Sequence, residues 1–104
     1  MKEKINKALD FFKNYKLDDA ENILLDVITQ SPNNIEALVI LGKINSKKQD
    51  YGNAINFFNK VLELQPNNDN AKVGIKLIKN ILQLSNNYYY ENPYTDDDLY
   101  DFNG

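Results

Sequence analysis

The sequence predicts an all-α fold, a stack of antiparallel helical hairpins, and three observations carry that expectation. Displaced by 34 residues, the chain matches itself: Leu17 falls on Tyr51, Ala20 on Ala54, Leu24 on Phe58 and Val27 on Val61. Ser31-Pro32-Asn33-Asn34 falls on Gln65-Pro66-Asn67-Asn68, so one punctuation mark ends both copies. Between these marks apolar residues recur at helical rather than strand spacing.

Five helices follow, taken in order as 3–15, 18–30, 34–47, 51–64 and 69–84. The first places Ala8 where the second copy has Gly42, small residues that let a partner helix approach closely. The second opens on Asp18 with Glu21 three residues on, the pattern of a capping box. Ala20 and Ala54 are small where the two helices of a hairpin cross. Pro32 and Pro66 stop the second helix of each hairpin, because Pro cannot continue one. The Asn pairs behind them are suitable N-caps for the third and fifth helices. The fifth helix repeats the start of the third, with Ile35-Glu36-Ala37 over Asp69-Asn70-Ala71 and Leu41 over Ile75, and the match ends near Leu84.

The run from Asp50-Tyr51-Gly52-Asn53-Ala54 through Leu62-Glu63-Leu64-Gln65-Pro66-Asn67-Asn68, with Leu38, Leu41 and Gly42 upstream, resembles a tetratricopeptide repeat. Residues 1–34 are similar in their second half but carry Lys4 and Lys7 where the family usually has large apolar residues. Residues 69–84 resemble the first helix of a third repeat. The resemblance implies a right-handed superhelix of five helices, with domain bounds at 1–84 (repeats 1–34 and 35–68, closing helix 69–84), and an acidic, Tyr-rich tail over 85–104.

The first helices of such hairpins line a concave groove. Carried over position by position, the resemblance gives a partner-binding set of Ile5, Leu9, Phe12, Lys13, Val39, Ile40, Lys43, Lys47, Val73, Leu77 and Ile81, with Lys2, Asn6, Glu36, Asn70 and Gly74 beside them. Some family members grip the C-terminal carboxylate of heat-shock chaperones with Lys, Arg and Asn. Here those positions hold Ile5, Leu9, Ile40, Asn70 and Gly74, so a carboxylate clamp is not expected. The groove reads as apolar with a Lys rim, suited to an amphipathic or aromatic segment. Ile5 and Val39 read equally as core, since an apolar stripe at helical spacing is usually packing, whereas Phe12 and Lys43 read as binding residues.

Composition narrows the function classes. There is no Cys and no His, which removes disulfides, thiolate metal sites and the commonest general base. Every basic side chain is Lys, so the planar bidentate fork that reads phosphates and base edges is missing. Residues 1–84 hold 12 Lys and 10 carboxylates, close to balance, which speaks against nucleic acid. Met1 to Phe12 alternates charged and apolar residues and contains no signal peptide or span, so a cytoplasmic location is expected and no membrane partner is. No paired catalytic geometry emerges, and neither an enzyme nor a cofactor is expected.

Two features have no place in the repeat. Residues 69–84 show a narrow polar stripe, Lys72, Lys76, Lys79 and Gln83, and are otherwise largely apolar. A closing helix should be wet on its outer side, so this one calls for a cover: the chain's own tail, a second copy or a partner. The tail, residues 85–104, has no Lys and five carboxylates, Glu91, Asp96, Asp97, Asp98 and Asp101. It also carries Tyr88, Tyr89, Tyr90, Tyr94, Leu99, Tyr100 and Phe102, the side chains by which it would dock on a Lys-rimmed apolar surface. The three Asp lack the mid-loop Gly and closing Glu of a calcium loop, and no metal is expected. The sequence therefore points to an adaptor or scaffold module that binds a protein or peptide, its groove open to the tail. The alternative is a homodimeric structural subunit joined through residues 69–84.

Overall fold

A computed structural model of the chain describes residues 1–90, with side chains described through Leu84. Among these residues the only regular elements are five helices: α1 (Lys2–Lys13), α2 (Leu17–Gln30), α3 (Ile35–Lys47), α4 (Tyr51–Leu64) and α5 (Asp69–Tyr90). The all-α hairpin stack read from the 34-residue period is the fold observed. α1 packs on α2 and α3 on α4, and α2 and α4 pass these hairpins on to α3 and α5.

The period is written into the turns. After α1 the Lys16 N–H donates to the Phe11 carbonyl (2.9 Å) and Tyr15 N–H to Phe12 (3.1 Å). After α3 Asp50 N–H donates to Asn45 (2.8 Å) and Gln49 N–H to Ser46 (3.0 Å). Both are Schellman closures, which need one left-handed residue. Tyr15 (φ 60°) and Gln49 (φ 64°), one period apart, supply it. α2 and α4 stop ahead of proline instead. Ser31 and Gln65 turn extended, as pre-proline residues must, and each donates its N–H back into its own helix. Asn34 Oδ1 then accepts from Ala37 N–H and Asn68 Oδ1 from Ala71 N–H, both at 3.0 Å, starting α3 and α5 as expected from the Asn pairs.

Two expectations change. Asp18 and Glu21 form no capping box. α2 starts at Leu17 with Lys16 as its N-cap, and no side chain satisfies the free amides there. Both carboxylates are drawn away by Lys48 from the end of α3, whose Nζ donates to Asp18 Oδ1 and, at 2.9 Å, to Glu21 Oε1. A cation within reach outcompetes a backbone amide for a carboxylate. The fifth helix also runs six residues past its expected end, to Tyr90. The repeat match ends near Leu84, but extending an existing helix costs little, and the first residue that forbids it is Pro93.

The core forms two overlapping clusters. Ile5, Ala8, Leu24, Val27, Leu41 and Ile44 join α1, α2 and α3, while Leu38, Phe58, Val61, Ala71 and Ile78 join α3, α4 and α5. α3 contributes to both because it is packed from both sides, and it is buried from Ala37 to Gly42. Ala8, Ala20 and Ala54 are fully enclosed, as crossing points require.

Candidate partner-binding face

α1, α3 and α5 touch in succession and so share one face of the stack. α1 and α3 are the first helices of their hairpins, and α5 repeats the start of α3, with Asn34 and Asn68 capping α3 and α5 alike. The expected groove residues divide sharply on this face. Ile5, Val39 and Ile40 are buried at 4%, 7% and 5% exposure, so they hold the helices together; for Ile5 and Val39 this is the core alternative their spacing left open, and Ile40 is corrected from groove to core. Leu9 and Phe12 are half-buried against the first cluster, and Lys13, Lys43 and Lys47 are exposed. Val73, Leu77 and Ile81 are exposed at 55%, 57% and 42%, one row along α5 at four-residue spacing, and Leu84 continues it at 69%.

At the far end of this face Lys47 Nζ lies 5.6 Å from the Phe12 ring centroid and 5.2 Å from that of Tyr15, a cation held between two aromatic faces across the α1–α3 gap. Tyr15 was not among the expected residues. The sequence offers only an aromatic one period before Gln49; the structure places it in a left-handed turn, where Gly is usual, and leaves it 71% exposed. The face is thus apolar along α5 and cationic-aromatic where α1 and α3 end.

Several sequence features stand elsewhere. Lys4 turns from the core and pairs with Asp26 of α2 at 2.6 Å, both about half exposed. The pair keeps the Lys4 charge on the surface, at a position where the family usually has an apolar residue. Tyr88, Tyr89 and Tyr90 belong to α5, but their side chains, like Tyr94, Leu99, Tyr100, Phe102 and the three Asp, lie outside the described residues. Among the described residues no three carboxylates gather as a metal site, and no helix is long and apolar enough to cross a membrane.

Comparison with known proteins agrees with this geometry. Residues 35–68 match the family model for the tetratricopeptide repeat, the same bounds as the second period. The chain is similar to a DnaJ homolog subfamily C member 7 homolog of Schizosaccharomyces pombe, 31% identical over 80 residues. That alignment takes in 77% of this chain and 17% of the yeast protein, so the chain spans less than a fifth of its relative's length.

Proposed function

Since the chain is a tetratricopeptide repeat protein, and such repeats generally mediate protein–protein interaction, we propose that it is an adaptor or scaffold module that takes a partner's helix or peptide on the α1–α3–α5 face. The observation that carries this reading is the exposed row Val73, Leu77 and Ile81. Apolar rows of this kind on a soluble domain mark interaction surfaces. Lys13, Lys43 and Lys47 rim the face, so the fitting ligand is amphipathic, with apolar or aromatic anchors and carboxylates at its edge. The bare C-terminal carboxylate is not the preferred feature, because Ile5 and Ile40 occupy clamp positions.

The working unit is residues 1–84 with 85–104 as an appended acidic segment, acting in the cytoplasm without catalysis or cofactor. The test is capture of partners from host lysate by the full chain, by Leu77→Ser and by Lys43→Glu. Equal recovery by all three proteins, with unchanged melting temperatures, removes the reading. The same exposed row favours one rival, a homodimer through residues 69–84. A monomer by light scattering at high concentration removes that rival while leaving the adaptor reading intact.

A further inference from the structure

α5 has a second unusual surface, roughly 150° around its axis from the Val73–Leu77–Ile81 row at 100° per residue. Between α4 and α5 lies an open cleft of about 290 Å3 with Leu62 and half-buried Ile75 at its floor and Lys72, Lys76 and Lys79 around it. The repeat period gives the cleft its meaning. Lys72, Ile75, Lys76 and Lys79 stand one period after Leu38, Leu41, Gly42 and Asn45. All four of those residues are buried on α3, the helix that pairs with α4. The cleft is therefore where a second helix would pair with α5. Lys at three of the four positions makes it unfit for an apolar helix and fit for a segment that brings carboxylates to the rim and a few apolar groups to the floor. Among the described residues no carboxylate pairs with Lys72 or Lys76, and Lys72 has only a 3.5 Å contact to the neutral Asn67 side chain.

We propose that this cleft is the docking site of the chain's own acidic segment, residues 91–104, which occupies in cis the place where a second helix would pair with α5. Charge selects this occupant. The segment carries Glu91, Asp96, Asp97, Asp98 and Asp101 with no Lys, and supplies Leu99, Tyr100 and Phe102 for Leu62 and Ile75. Reach permits it. α5 is described through Tyr90, about 16 Å along the axis from Lys79 and about 21 Å from Lys76. Asn92-Pro93 follows at once, a pair that stops a helix and favours a turn. Asp96 to Asp98 lie six to eight residues beyond Tyr90, a span of roughly 20–28 Å when extended, enough to return to Lys79 and Lys76. The site is separate from the partner-binding row, so it stands or falls independently of what that row takes.

Zero-length carbodiimide cross-linking of the full chain at low micromolar concentration tests the proposal. The expected result is links within one molecule from Asp96, Asp97 or Asp98 to Lys72, Lys76 or Lys79. Links to Lys13, Lys43 or Lys47, links found only between two copies, or no link from these Asp at all would overturn it. A charge swap gives the second arm, read by hydrogen exchange of amides 91–104. Reversing the three Asp to Lys should speed exchange at least about fivefold, and adding Lys72→Glu, Lys76→Glu and Lys79→Glu should restore protection. Fast exchange in both proteins, or unchanged exchange in the first, defeats the proposal.

Discussion

Phe58 lies so close to Gly42 that a Cβ on the glycine would sit 2.5 Å from Phe58 Cε1. Gly74 presses on the opposite edge of the ring, where an added Cβ would meet Cε2, also at 2.5 Å. The ring has nowhere to retreat, and at 1% exposure it is the largest fully buried side chain among the described residues. The first repeat solves the same crossing with Ala8, Leu24 and Ile40, all in one cluster, at the positions of Gly42, Phe58 and Gly74. A larger ring on the second helix is matched by smaller residues on both first helices.

Gly42→Ala should therefore destabilise the chain, although Ala is the better helix former. Overpacking costs about 1–3 kcal/mol, against up to about 1 kcal/mol of helix propensity gained. In a Phe58→Leu background the clash disappears and Gly42→Ala should become neutral or stabilising. Urea denaturation of the four proteins of the cycle checks it, and additive effects would show that the two positions are not coupled.

α2 lacks a side-chain cap where its counterpart α4 has one, Asp50 Oδ1 accepting from Asn53 N–H at 3.4 Å. Lys16→Asp should supply the missing acceptor and replace an unfavourable cation at the helix N-terminus with a favourable anion. The expected gain is about 0.5–1.5 kcal/mol in thermal or chemical unfolding. A loss of stability would mean that the crowding of Asp18 and Asp19 outweighs the cap.

Gln49 sits at φ 64°, a conformation that costs most side chains energy and costs Gly none. Gln49→Gly should raise stability by up to about 1 kcal/mol, the unfolded chain's extra freedom offsetting part of the relief. Tyr15 occupies the equivalent turn, but it shares Lys47 with Phe12, so Tyr15→Gly should gain less. Equal gains from the two would argue that the cation–aromatic contact contributes nothing.

Lys48 ties the second repeat to the first through Asp18 and Glu21, and its pKa is raised, first by the hydrogen bond to Asp18 and next by that to Glu21. A folded-state pKa above the unfolded one stabilises fully below the ordinary lysine value of about 10.4. The contribution is lost as pH rises through the higher folded value. Lys48→Met should lower stability at pH 7 by less than about 1 kcal/mol, because Asp18 is mostly exposed and solvent screens the pair. The gap to the native protein should shrink with added salt and close as pH climbs past the lysine range; a gap that widens there would contradict the pairing.

The period, the two Pro-Asn-Asn marks and the Asn caps were all legible in the sequence because they act locally. A proline stops its own helix, and an Asn caps the helix that follows it three residues on. These determined the number of helices, their order and the all-α class, and the small residues at Ala8, Ala20, Gly42 and Ala54 marked where helices cross. Tertiary structure alone decided what each surface is for. Val39 on α3 and Val73 on α5 stand one period apart, yet Val39 is core and Val73 exposed, because α3 is packed between α1 and α5, while among the described residues α5 has a neighbouring first helix on one side alone. Asp18 and Glu21 looked like a cap until Lys48, far along the chain, came within reach. Burial and ion pairing depend on which elements are neighbours in space, and periodicity within one helix carries no record of that.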